Sequence, residues 1–239
     1  MNEDELTDQL RSRLEVVEGH IDQACRRSGR PRSEVTLVAV TKTVQPEIAA
    51  RLATLGIQDM GESRPQELWR KSAELPSSVR WHMIGHLQRN KIERTLPLVQ
   101  FIHAVDSSRL LDALEQEAGK QGRRVPVLLE INASREAAKQ GWRPEDVPAL
   151  ADCVTHLQYV EVRGLMTMAA YDADPENCRP TFREARQVLE QLRATVGPGH
   201  ALDQLSMGMS NDYEVAIEEG ATLIRLGSVL FEGIGASQS

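Results

Sequence analysis

Cysteine is scarce in this 239-residue chain, and the three present, Cys25, Cys153 and Cys178, are widely spaced. No pair falls in a CxxC or other metal-ligand spacing, which leaves reduced thiols as the simplest account and gives no support to a disulfide scaffold or a structural zinc site. Long apolar runs are also missing: nothing approaches the roughly 18 residues needed to span a bilayer. The acidic start, Met1-Asn2-Glu3-Asp4-Glu5, lacks the basic region of a secretory signal. These absences point to a cytoplasmic protein without a membrane partner. There is no excess of positive charge either, since 28 Lys+Arg face 35 Asp+Glu for a net charge of −7. A nucleic-acid backbone therefore meets no overall basic footprint. Tyrosine is limited to Tyr159, Tyr171 and Tyr213.

What is present is a regular alternation. Leu6, Leu10, Leu14, Val17, Ile21 and Ala24 recur every three or four residues, one face of a helix of about six turns. Gly29 and Pro31 end it, the first by tolerating a left-handed turn and the second by refusing to continue the helix. Short β-branched or apolar runs then recur at Val35–Val40, Ile57–Met60, Trp81–Ile84, Phe101–Val105, Val125–Ile131, Val160–Met166, Gln204–Met207 and Thr222–Leu226. Helical periodicity fills intervals between them, as at Pro46–Leu55, Arg64–Ala73, Ser108–Gly119, Pro144–Leu157, Pro175–Val196 and Asp212–Glu219. Alternating strands and helices imply parallel βαβ units. Their number and the chain length predict a single (β/α)8 TIM barrel with an extra N-terminal helix. An open doubly wound sheet is the alternative. One domain over 1–239 is expected, with the N-terminal helix in 1–30 and the barrel over 35–233.

In such barrels function gathers after the C-terminal ends of the strands. Lys42 directly follows the first strand, where scarce water would lower its pKa and favour the neutral amine used in Schiff-base chemistry. The plainer reading is a strand-end lysine that reaches solvent. After the last two strands, Ser206, Gly208, Ser210, Gly227 and Ser228 are small enough for backbone N–H groups to cradle an oxyanion beside helix N-termini, although the same residues also build tight, capped turns. His82 and Arg225 lie inside otherwise apolar strands, where an unpaired polar group is costly. Asp106 and Glu62 are candidate partners for Arg225. A strand-end lysine and a phosphate cradle on one barrel face suggest a phosphorylated aldehyde, which fits pyridoxal phosphate and equally a Schiff-base aldolase of a sugar phosphate.

The stretches Val38-Ala39-Val40-Thr41-Lys42-Thr43, Trp81-His82-Met83-Ile84-Gly85-His86-Leu87-Gln88-Arg89-Asn90-Lys91, Gly164-Leu165-Met166 and Leu205-Ser206-Met207-Gly208-Met209-Ser210-Asn211-Asp212, with Arg225-Leu226-Gly227, resemble the pyridoxal phosphate homeostasis protein family (YggS- or PROSC-like) over roughly Val35 to Gly233. The resemblance implies a barrel like the N-terminal domain of alanine racemase. It implies pyridoxal 5'-phosphate bound as an aldimine of Lys42, a phosphate cradle of Ser206, Met207, Ser210, Gly227 and Ser228, Arg225 at the pyridine nitrogen, and His82, Met166 and Ser63 around the cofactor. Ser63 departs from the family pattern, which commonly reads G-E-N-Y where this chain has Gly61-Glu62-Ser63-Arg64. The segment with Asn132, Glu136, Lys139 and Gly141 matches in part. A non-catalytic, monomeric carrier that buffers the cofactor and delivers it to apo-enzymes is expected, because an alanine racemase takes its second acid/base group, a tyrosine, from a domain this chain has no length for. The alternative is a single-domain racemase or lyase.

Overall fold

The structure is a computed structural model that describes residues 3–136, 140–197 and 199–234. Eight parallel strands close into a barrel in chain order: β1 (Thr36–Val40), β2 (Asp59–Glu62), β3 (Arg80–Met83), β4 (Val99–Val105), β5 (Val125–Glu130), β6 (Val160–Met166), β7 (Gln204–Ser206) and β8 (Leu223–Leu226). Closure between β8 and β1, with Val38 opposite Arg225 and Ala39 opposite Leu226, rules out the open sheet. The helices are α1 (Glu3–Arg27), α2 (Pro46–Thr54), α3 (Pro65–Glu74), α4 (Ile92–Thr95), α5 (Ser108–Gln121), α6 (Val147–Thr155), α7 (Arg179–Val196), α8 (Tyr213–Glu218) and α9 (Ser228–Phe231).

Helix α1 buries Leu10, Leu14, Val17, Ile21 and Ala24, the stripe its periodicity requires, against α8 and α9. It stops at Gly29, whose φ of +69° lets the Arg30 N–H return to the Cys25 carbonyl. β2 starts and ends two residues later than its apolar run suggested. Asp59, Met60, Gly61 and Glu62 are all buried because β1 and β3 flank them, not because the segment is hydrophobic. The main core lies between the barrel and its helices, while Val38, Ala104, Leu128, Met166 and Leu223 form a smaller cluster inside the barrel. Gly164 is forced by backbone approach: its φ is +154°, and a Cβ there would lie 1.8 Å from the Gln204 carbonyl oxygen of β7. Among the described residues no helix is long and apolar enough to cross a membrane.

Candidate functional site

The C-terminal ends of β1 and β8 lie side by side, and four features meet there. Lys42 is carried on the turn after β1, immediately beyond buried Thr41, and its side chain is exposed. The dry environment expected from its position is absent. Lys42 stands beyond the barrel rim, and the burial falls on another lysine, Lys71 of α3, which is 1% exposed. Lys71 Nζ donates to Glu62 Oε1 at 2.6 Å and to the Thr41 carbonyl at 2.6 Å, while Thr41 Oγ1 donates to the same Glu62 oxygen at 2.7 Å. Glu62 Oε2 is buried with no hydrogen-bond partner among the described residues. This clamp grips, from the helix side of the barrel wall, the residue that precedes Lys42. Lys71 went unnoticed in the sequence because a lysine on an amphipathic helix ordinarily lies at the surface.

Arg225 projects from β8 into the barrel interior, 5% exposed. Its expected partners, Glu62 and Asp106, are not its hydrogen-bond partners. Nη1 donates to Ser206 Oγ at 2.5 Å and Nη2 to the Thr167 carbonyl at 3.0 Å. The reason is strand alternation: Glu62 faces the helix layer, where it meets Lys71, whereas Asp106 holds His86 Nδ1 at 2.9 Å. Burial lowers the pKa of Arg225 to about 10, opposed by the charges of Asp212 and Glu130, so it remains cationic at neutral pH. Glu130 follows the inward residue Leu128 by two positions on β5, a signal that alternation offered and that sequence reasoning passed over. Burial raises its pKa, helped by Asp106 and opposed by Arg225 and His86.

The cradle residues divide by function. Ser206 is fully buried and its hydroxyl is engaged by Arg225 and by His103 Nδ1, at 2.9 Å. The Met207 side chain packs into the outer core and its N–H donates to the Leu223 carbonyl. Ser210 is placed as an anion acceptor would be: its Oγ accepts from the Gly227 N–H at 3.2 Å and the Val229 N–H at 3.3 Å. Ser228, between them, is exposed. Asp212 Oδ1 accepts from the Met209 N–H at 2.6 Å and closes the loop, and Gly208, at φ +91°, lies so near α8 that a Cβ would sit 2.6 Å from Ala216 Cβ. At Gly227 a Cβ would make only ordinary contacts of 3.5–3.8 Å with Val40, so the glycine leaves room over the end of β1 that a side chain would fill.

Met166 is buried inside the barrel below this mouth, and Ser63 is half-buried in the loop after β2, its carbonyl oxygen so close to Gly85 that a Cβ there would be 2.4 Å away. His82 is sealed in the interior, bonded to Asp59 and His103 and separated from Arg225 by His103 and Ser206. Asn132 Nδ2 donates to the Glu136 carbonyl at 2.8 Å; Lys139 lies outside the described residues. A cavity of about 710 Å³ between α1 and α8 backs onto the cradle at Ser210 and Val229. Among the described residues no group of three or more His, Cys, Asp or Glu is placed to hold a metal ion.

Comparison with known proteins bears on this geometry. The family model for the alanine racemase N-terminal domain matches residues 13–234. The pyridoxal phosphate homeostasis protein of Aquifex aeolicus (strain VF5) is 40% identical over 220 residues, 92% of this chain and 96% of that protein. The chain belongs to the pyridoxal phosphate homeostasis protein family. A mammalian member of that family, from Bos taurus, is 33% identical over 91% of this chain and 85% of its own length. PipY of Synechococcus elongatus, solved with pyridoxal phosphate bound, superposes with a TM-score of 0.80 at 34% identity, covering 93% of this chain and 99% of PipY. Alanine racemase of Clostridium difficile 630 shares the fold, at a TM-score of 0.73 and 16% identity, and this chain spans 56% of it.

Proposed function

We propose that this protein binds pyridoxal 5'-phosphate at the barrel mouth and serves intracellular homeostasis of that cofactor, holding it and releasing it to apo-enzymes without robust catalysis. The observation that carries the reading is the convergence, on adjacent strands β1 and β8, of an exposed amine at Lys42, a backbone cradle at Ser210, Gly227 and Val229, and a buried guanidinium at Arg225. These residues fit the group. Ser210, Gly227 and Ser228 would hold the phosphate, Arg225 would face the pyridine nitrogen, Met166 would floor the site, and Lys42 would bond to the aldehyde. Ser206 contributes through Arg225 and Met207 through the loop backbone. The cofactor supplies a reversible carbon–nitrogen linkage, and an exposed lysine lets a competing amine reach it.

Arg225 offers only donors, so it would give a hydrogen bond to a pyridine nitrogen without delivering a second proton there. That weakens the ring as an electron sink. The tyrosines also support carriage over catalysis. Tyr213 is turned toward α1, with its hydroxyl 3.1 Å from His20 Nδ1 and its pKa pushed up to about 12 by burial and by Glu214. Tyr171 is 84% exposed, so little protein surrounds its phenol. Cys25, Cys153 and Cys178 form no disulfide among the described residues, which accords with a cytoplasmic location.

The test is an absorption spectrum of the purified protein before and after borohydride, with peptide mapping of the reduced adduct. We expect an adduct at Lys42 that Lys42→Ala abolishes while part of the phosphate-dependent affinity remains. An unchanged adduct in Lys42→Ala would sink the lysine assignment. Turnover of an amino acid at an ordinary enzymatic rate, lost in Lys42→Ala, would overturn the non-catalytic reading in favour of a single-domain racemase or lyase.

A further inference from the structure

Arg225 ends a run of buried hydrogen bonds that crosses the barrel interior. Its Nη1 lies 2.5 Å from Ser206 Oγ, Ser206 Oγ 2.9 Å from His103 Nδ1, His103 Nε2 2.9 Å from His82 Nδ1, and His82 Nε2 3.0 Å from Asp59 Oδ1. Arg80 closes the far end with donors 2.5 and 2.8 Å from the two Asp59 oxygens. Ser206, His103 and His82 are each 1% exposed or less. Barrel interiors are ordinarily packed with branched apolar side chains, and a polar run is tolerated there only if every member is satisfied.

The two ends set the direction of each proton between them. A guanidinium only donates and a carboxylate only accepts. Ser206 Oγ therefore accepts from Arg225, and its own hydrogen goes to His103 Nδ1. His103 then donates through Nε2–H to His82 Nδ1, and His82 donates through Nε2–H to Asp59. Each imidazole carries one proton, on Nε2. A second proton on His82 would reverse the middle of the run and turn His103 Nδ1–H onto Ser206. The Ser206 hydroxyl hydrogen would then face no acceptor among the described residues, in a fully buried position. It would also set another cation near Arg225.

We propose that His103, His82 and Asp59 are positioning residues for Arg225, which through Ser206 hold the guanidinium in one orientation and leave its remaining N–H groups for the pyridine nitrogen of the bound cofactor. This role rests on the reading of the mouth as a pyridoxal phosphate site. The Thr167 carbonyl supplies the second fixed contact, so the guanidinium is held at two points, and the run decides which lone pair of Ser206 it meets.

Two measurements test this. Long-range ¹H–¹⁵N NMR of the imidazoles in the ligand-free protein at neutral pH should find both His82 and His103 protonated on Nε2 alone. A proton on Nδ1 of either ring would overturn the proposal. On the pyridoxal phosphate-loaded protein, His103→Phe should shift the visible absorption band and speed cofactor release about fivefold, the worth of roughly one hydrogen bond, while the borohydride adduct at Lys42 persists. His103→Asn, which retains an acceptor facing Ser206, should restore both readouts. A folded His103→Phe protein with an unshifted band and wild-type release would refute the role, as would a folded His103→Asn protein that restores neither. Should His103→Phe fail to fold, Ser206→Ala removes the connecting atom and carries the same expectation. A wild-type protein that takes up no pyridoxal phosphate overturns the reading of the mouth and this role together, whereas a wild type that binds it but carries the other tautomers overturns this role alone.

Discussion

Replacing Lys71 with methionine keeps most of the side-chain volume and removes one buried charge. In the native chain the Lys71 ammonium meets Glu62 Oε1 and the Thr41 carbonyl, both at 2.6 Å, and both members of the ion pair have side chains 1% exposed. Without it, Glu62 retains only the Thr41 hydroxyl on one oxygen, and its other oxygen already has no partner among the described residues. Breaking a buried pair by deleting one partner typically costs about 3–5 kcal/mol, because an uncompensated charge stays behind. For a chain of this size each kcal/mol moves Tm by about 2–4 °C, so Lys71→Met should melt roughly 6–20 °C below the parent. The double variant Glu62→Leu/Lys71→Met removes the stranded carboxylate and should recover most of the loss, giving a coupling energy of several kcal/mol in a double-mutant cycle. The Thr41 carbonyl still lacks the Lys71 donor in that protein, so amide exchange at Val44, whose N–H is bonded to the same carbonyl, should stay faster than in the parent. Thermal and urea unfolding followed by circular dichroism, with hydrogen exchange, make the measurements. A Lys71→Met protein within about 1 kcal/mol of the parent, or a double variant as unstable as the single one, would refute the reasoning.

Acid should expose the far end of the interior run. Burial alone would raise the Asp59 carboxyl, but hydrogen bonds from Arg80 and His82 outweigh it and bring the pKa from 3.8 to about 2. A depressed folded-state pKa contributes stability that is complete above the unfolded value and is lost as pH falls from about 4 to about 2. After allowance for the half-exposed Arg80, this is about 1–2 kcal/mol, and the acid limb of the urea midpoint in Asp59→Asn should be shallower by that amount; an equally steep limb would count against it. Gly208→Ala should cost about 1–3 kcal/mol of unfolding free energy, from positive-φ strain and the approach of Ala216, and a parent-like midpoint would mean the loop yields freely. Arg225→Gln should keep pyridoxal phosphate binding while shifting its absorption band, since the cradle is independent of the guanidinium; an unchanged spectrum with unchanged affinity would make Arg225 purely structural.

The parts of this protein that depend on short-range chemistry could be read directly from the residues. The β6 run Val160–Met166 coincides with the observed strand, and α1 ends at Gly29 as its φ of +69° requires. Lys42 and the Ser210–Gly227 turns occupy the ends of β1, β7 and β8 because a parallel barrel gathers those ends on one face. The motif resemblance named the family that the comparisons then found.

Contacts between side chains far apart in the chain were decided by closure and register. Lys71 reads as a surface lysine until α3 packs over β2 and β3 and sets it against Glu62. His82 and His103 become neighbours only because β3 pairs with β4, and Ser206 reaches His103 across the interior rather than serving the cradle with its hydroxyl. Glu62, offered by the sequence as a partner for Arg225, faces the other side of the wall. Periodicity states which residues alternate along a strand, but a shift of one residue exchanges the inner and outer faces, and that choice is made by the packing of the whole barrel.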